Sequence, residues 1–212
     1  MRIYIATTAL LLGLLGTNAS ASQLSPTPGQ DSAETRMSEY AASRPPIGYV
    51  QFCNDNPREC RSGSPMPQRL VLTPARLKQL NEVNDLVNEA IAPITDEDLY
   101  GVAEKWTYPL DRGDCEDYVL LKRRLLAERG WPLSSLLITV VRDTKGDGHA
   151  VLTVTTSAGD LVLDNQVPEI HFWRDTPYDF LKRQSKTDPN AWVSLRYDDS
   201  QSQYSVGGTP NR

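Results

Sequence analysis

Apolar residues recur at helical spacing in two stretches of the chain and at strand spacing further on. After Thr73, residues Leu77, Leu80, Val83, Val87 and Ile91 fall on one helical stripe. Thr73 suits the cap, Pro74 suits the first turn, and Pro93 marks the stop. A second helix is predicted from Asp114 to Gly130. Asp114 is placed to cap it, and Tyr118, Leu121, Leu125 and Leu126 form its apolar face. Lys122, Arg123, Arg124 and Arg129 gather towards its end, where Gly130 supplies a left-handed stop before Pro132. Strands follow. Leu136 to Val141 is a continuous apolar run, His149 to Thr156 alternates, and Leu161 to Asp164 is short and apolar. The stretches 143–148 and 157–160 read as turns, and Trp192 to Tyr197 as a closing strand. A helical half packed on an antiparallel β half is an α+β domain.

The ends read differently. Met1-Arg2, an apolar run from Ile3 to Leu15 and small residues at Ala19 and Ala21 describe a secretory signal peptide over residues 1–21. A transmembrane anchor needs about 20 apolar residues, more than this run offers. The expected location is therefore periplasmic or secreted, with no membrane insertion once the signal is removed. Residues 22–45, rich in Ser, Pro, Thr and Gln, read as a flexible lead-in, and 198–212 as a disordered tail. The domain is expected over 46–197.

Composition narrows the class. The chain has 212 residues, 39% hydrophobic and 23% charged, with a net charge of -5. These values exclude collagen-like, wholly disordered and multi-span membrane proteins. Without a basic stripe, nucleic acid is a poor partner. Nothing calls for an obligate oligomer, and a monomer is expected.

Three cysteines are present. Cys53 and Cys60 bracket a turn-rich loop, and an oxidising compartment would pair them. Closing so short a loop contributes about 2–3 kcal/mol. A metal pair is the alternative, but a second Cys/His pair to complete it is missing. Cys115 is left over as a buried hydrophobe, an intermolecular partner or a nucleophile.

Cys115 stands in the first turn of a helix, where backbone N–H groups favour a thiolate. A nucleophilic Cys needs a base, and the chain has two histidines, His149 and His171. His171 lies among aromatics and reads as structural. His149 opens a strand, and Asp164 at the end of the next could orient its ring. A two-residue turn at Ala158-Gly159 would pair His149 with Pro168 and Asp164 with Thr153, four residues out of step. An earlier or wider turn, or a bulge, would bring them together.

Several segments carry a family likeness. Gly113-Asp-Cys-Glu-Asp-Tyr118 with Lys122-Arg-Arg124 behind it, Gly148-His-Ala-Val151 and Leu163-Asp-Asn-Gln166 come in order. Upstream lie Pro46-Ile-Gly48, Phe52-Cys53 and the segment Val102 to Pro109. Together they resemble the bacterial transglutaminase-like cysteine proteinases over roughly residues 45–197. The resemblance implies a papain/transglutaminase-like fold, Cys115 as nucleophile, His149 as general base and acid, and Asp164 as orienting carboxylate. LapG-type relatives are periplasmic, calcium-dependent proteases that cut large surface adhesins and release biofilm cells. By that likeness Asp114 and Glu116, with Asp117 nearby, would bind Ca2+. A surface adhesin would be the substrate and an inner-membrane protein the regulator.

Charge supports a cation independently. Asp111, Asp114, Glu116 and Asp117 put four carboxylates within seven residues. Dipole complementation at a helix start is the alternative. Yet so much negative charge opposes a thiolate, and a hard cation would offset it. Asp143 to Gly148 resembles a calcium-loop fragment without its closing glutamate; a hairpin turn explains it better. Trp106, Asn165 and Gln166 are candidates for the wall of the site, and the Cys115 N–H for an oxyanion donor. The leading expectation is an exported cysteine endopeptidase. An acyl-transfer enzyme with the same triad, and a non-catalytic calcium-responsive binding module, are the competing readings.

Overall fold

A computed structural model describes residues 35–61 and 69–197. The signal peptide 1–21, most of the lead-in and the tail 198–212 lie outside the described residues.

The described residues begin with a short strand β1 (Ala42–Ser43) and helix α1 (Ile47–Asp55). Helix α2 (Pro74–Ala90) follows, its first turn capped by the Thr73 hydroxyl, which accepts from the Arg76 N–H at 3.2 Å. The helix ends before Pro93, because Ala92–Pro93 forms strand β2, paired in parallel with β3 (Arg112–Gly113). Between them the acidic stretch after Thr95 is a one-turn helix α3 (Asp96–Tyr100), capped by Thr95 and stopped by Gly101 at φ 71°. Helix α4 (Cys115–Glu128) comes directly after β3.

Strands β4 (Leu136–Arg142), β5 (Gly148–Thr156), β6 (Gly159–Leu163), β7 (His171–Phe172), β8 (Asp179–Gln184) and β9 (Trp192–Ser194) complete the domain. With β1 they form one seven-stranded antiparallel sheet in the order β1-β9-β8-β4-β5-β6-β7. The α+β expectation holds. One sheet face, with Ile138, Val140, Ala150, Leu152 and Leu163, packs on the apolar stripes of α2 and α4. Val141, Val151, Val162 and Phe180 on the other face are covered by Met37. That contact corrects the flexible lead-in: from residue 35 the segment belongs to the domain. Asp160 accepts from the Met37 N–H and from Arg183, each at 3.0 Å, and Arg183 also binds Glu39. Burial on both faces also hides the alternation expected for β5.

A disulfide joins Cys53 and Cys60 across a Cα–Cα distance of 5.6 Å. The β5–β6 turn is Ser157–Ala158, with Thr156 opposite Gly159 and Leu152 opposite Leu163. It lies one residue earlier than the Ala158-Gly159 expected from the sequence. Extending this register puts His149 opposite position 166, two residues from Asp164 instead of four. That diagonal is within reach of long side chains.

Candidate functional site

His149 stands near the start of β5 and Asp164 just past the end of β6, both buried. Nε2 of His149 lies 2.8 Å from Oδ1 of Asp164. The same oxygen accepts the Gln166 N–H at 3.1 Å, and Oδ2 accepts from the Tyr178 hydroxyl. Burial alone would raise the Asp164 pKa, but these partners, His149 foremost, hold it below the ordinary carboxylate range. Nε2 of Gln166 is 3.3 Å from Nδ1 of His149. An amide N–H donating to Nδ1 and a carboxylate accepting at Nε2 select one neutral tautomer. The proton sits on Nε2, and Nδ1 keeps a lone pair.

Cys115 opens α4. Its early N–H groups lack intrahelical partners, and Gly113 lets the chain approach closely: a Cβ there would lie 2.5 Å from Oδ2 of Asp117. The β5–β6 pairing stops at Leu152, and the N–H of Ala150, next to His149, donates to Sγ of Cys115 at 3.4 Å. The thiol itself donates to Oε2 of Glu116 at 3.2 Å. Burial, then the charges of Glu116 and Asp114, push the Cys115 pKa well above that of a free thiol. The helix N-terminus does not outweigh them.

The acidic cluster differs in membership from the four carboxylates close in sequence. Asp111 is exposed, pairing with Arg112 at 3.5 Å, and takes no part. Asp96, at the start of α3, takes its place. One ligand atom each from Asp96, Asp114 and Glu116 lies within 4.8 Å of the others, and all three residues are buried. Asp114 makes no side-chain cap on α4, contrary to expectation. Both its carboxylate oxygens, Oε1 of Glu116 and Oδ2 of Asp117 are buried without a hydrogen-bond partner. The remaining oxygens hold the approach to the helix. Asp117 accepts the Thr107 N–H at 2.8 Å, and Asp96 accepts that of Lys105. Burial and the charge of Asp96 push Asp114 up to about 6. Burial, with Asp114 and Asp96, pushes Asp117 up to about 8. Burial and Asp114 drive Glu116 well above the ordinary range.

Buried carboxylates with orphaned oxygens, each raising its neighbours' pKa, are an all-oxygen donor set. Such a set fits a hard divalent cation. The sequence missed Asp96 because it lies 18 positions from Asp114; the only local signal was an acidic first turn after a Thr cap.

The other candidates separate. Trp106 is a core residue, stacked edge-on against Tyr49 with its indole N–H on Glu104 at 3.0 Å. Gln166 reaches the imidazole. His171 is half-buried on β7 and lines a cavity beside Asp164. Among the described residues no helix is long and apolar enough to cross a membrane.

The model of the bacterial transglutaminase-like cysteine proteinases matches residues 39–200. Among solved structures, LapG from Legionella pneumophila in an EGTA-treated form is 27% identical, with a TM-score of 0.45. The match covers 53% of this chain and 64% of that one. A calcium-bound form is 24% identical, with a TM-score of 0.49, over 64% of this chain and 77% of that one. The chain thus spans less than two thirds of the first of these. No curated protein sequence matches it.

Proposed function

The chain belongs to the bacterial transglutaminase-like cysteine proteinases, and from that premise we propose that it is an exported, calcium-dependent cysteine endopeptidase acting on a protein substrate. The observation that carries this reading is the buried His149–Asp164 pair at 2.8 Å beside a thiol at a helix start.

Cys115 is the nucleophile, His149 the general base and acid, and Asp164 the residue that orients the ring. Asp164 holds the proton on Nε2, so the lone pair of Nδ1, which meets the Gln166 amide here, takes the proton of the Cys115 thiol once that amide gives way. Sγ then attacks the scissile carbonyl carbon, and the Cys115 backbone N–H, in the first turn of the helix, would receive the oxyanion. The imidazolium returns its proton to the leaving amine, leaving a thioester. A water, deprotonated by Nδ1, attacks this thioester and regenerates the thiol. Asp164 stabilises the positive ring in both halves without itself taking the proton.

Asp96, Asp114 and Glu116, with Asp117 beside them, would hold the calcium. When bound, it supplies the positive charge that lets these carboxylates ionise and eases their repulsion of a thiolate. Residues 1–21 act as the signal peptide and direct the enzyme to the periplasm or out of the cell. The LapG likeness implied by the motifs makes a large surface adhesin the substrate and an inner-membrane protein the regulator.

The test is cleavage of candidate surface adhesins by the mature protein, with calcium and with chelator. Fragments should appear with calcium and vanish in Cys115→Ala, while the thermal midpoint stays nearly unchanged. Cleavage that persists in Cys115→Ala overturns the proposal, and crosslinked products or ammonia release would point to acyl transfer instead.

A further inference from the structure

Helices α2 and α4 each place a polar side chain on the same carbonyl. Nδ2 of Asn88 and Nζ of Lys122 both donate to the backbone oxygen of Asp164, each at 2.8 Å. One turn earlier on α2, Nδ2 of Asn84 donates to the carbonyl of Pro168 at 2.7 Å. These donors hold both ends of the segment 164–168. The same segment carries Asp164 and Gln166, whose side chains meet Nε2 and Nδ1 of His149.

Nothing in the packing of α4 calls for a lysine there. Lys122 is 0% exposed, and its Nζ donates to a neutral backbone carbonyl. The Tyr118 ring lies 5.9 Å from it, and the charges of Asp164 and Asp85 also act on it. Leu or Met would fill such a position without the desolvation cost of a buried amine. Asn84 is likewise fully buried, and its Oδ1 has no partner. Two fully buried polar side chains and that of the half-buried Asn88 therefore converge on one loop. Lys122 also follows Cys115 by seven residues on one helix, a rise of about 10 Å. One rigid element presents the thiol and grips the residue that orients the imidazole.

We propose that Lys122, Asn88 and Asn84 are positioning residues: they pin segment 164–168 to α2 and α4 and thereby set the His149–Asp164 pair against Cys115. The inference rests on the roles assigned above to His149 and Asp164. It makes the interface between the two helices part of the catalytic geometry, since a displacement of about 1 Å there can cost about a hundredfold in rate.

The experiment reads the pair directly by NMR. In the wild-type protein, the Nε2–H of His149 should give a downfield imidazole resonance that exchanges slowly with water. His171 provides the internal comparison. In Lys122→Met and in the milder Asn88→Ala, that resonance should broaden or exchange about tenfold faster or more, while far-UV circular dichroism stays native. Turnover on a cleaved substrate should fall with KM little changed. A purely structural role would lower the melting temperature of both variants and leave the resonance alone. That result overturns the proposal, as does the absence of a protected Nε2–H in the wild type. Should Lys122→Met fail to fold, Asn88→Ala decides by the same reading. Because the resonance is observed without substrate, the inference can fail or stand independently of whether Cys115→Ala abolishes cleavage.

Discussion

Sγ of Cys115 donates to Oε2 of Glu116 at 3.2 Å, so the proposed nucleophile and a proposed calcium ligand share a hydrogen bond. Glu116 is fully buried, and its second oxygen has no partner. Whatever changes the charge at Glu116 is therefore felt at the thiol, across one residue of α4.

The first prediction concerns calcium and pH together. Asp114 is raised to about 6 and Asp117 to about 8, with Glu116 higher than ordinary, whereas unfolded carboxyls titrate near 4. Between about pH 4 and 8 the folded chain binds more protons than the unfolded one, so stability falls as pH rises. With a chelator present, the melting temperature should drop from pH 5 to pH 8. Excess calcium should raise it by several degrees at pH 7.5 and flatten the slope. Asp96→Asn and Glu116→Gln should each blunt the response. Melting curves that do not differ between calcium and chelator would count against the site.

Asp164→Asn is the cleanest change at the imidazole. It keeps the shape but donates where a carboxylate accepted, which turns the His149 ring to the wrong tautomer. Peptide hydrolysis should fall by about 10³–10⁴-fold with the fold retained. Stability carries a second signature. Asp164 titrates below its unfolded value, so it stabilises above about pH 4, and that contribution is lost as pH falls through the folded pKa. The wild-type advantage over Asp164→Asn should shrink on acidification below about pH 4. Equal activity of the two proteins would contradict the assignment.

Lys122 should leave its mark at alkaline pH. Burial pushes its pKa down to about 7, although Asp164 and Asp85 pull the other way. An unfolded lysine titrates near 10.4. Between these values the unfolded chain binds the extra proton, so wild-type stability gains from Lys122 as pH rises from about 7 to 10. Lys122→Met removes that dependence. Relative to wild type, the variant should therefore look more stable at pH 6 than at pH 9.5 in urea titrations. A difference that does not change with pH would mean that Lys122 is not buried as an amine.

Packing gives a prediction away from the chemistry. A Cβ on Gly48 would lie 2.3 Å from Cδ1 of Trp106, both of them buried where α1 meets the segment leading to the site. Gly48→Ala should cost about 1–3 kcal/mol through overpacking. Chemical denaturation measures it directly, and an unchanged midpoint would show that Trp106 can move freely.

Much of this protein is legible residue by residue. The stripe of Leu80, Val83 and Val87, the Thr73 cap and Pro74 are local signals, complete within a turn or two of helix, and α2 forms where they predict. The same holds for the apolar run of β4, and for Cys115 at a helix start. Motif order also made the family recognisable, because the Cys, His and Asp segments each keep a short recognisable neighbourhood.

Other features are properties of the closed chain. The β5–β6 turn differs by one residue from its expected place, and that difference brings the His149–Asp164 diagonal within reach. Asp96 joins Asp114 and Glu116 only because α3 folds back beside the start of α4, whereas nearby Asp111 turns to solvent. Residues 35–45 read as linker by composition, yet Met37 and Glu39 meet Asp160 and Arg183 more than 120 positions away. Lys122 looks like one more basic residue near a helix end, and its meaning comes from a carbonyl 42 residues further on. Local signals along the chain specify the two long helices α2 and α4, four of the nine described strands and the chemical types available. Tertiary structure alone decided which carboxylates cluster and which amine is buried. Local conformation depends on neighbours within a few residues, whereas burial and partnership depend on which distant segments the core brings together.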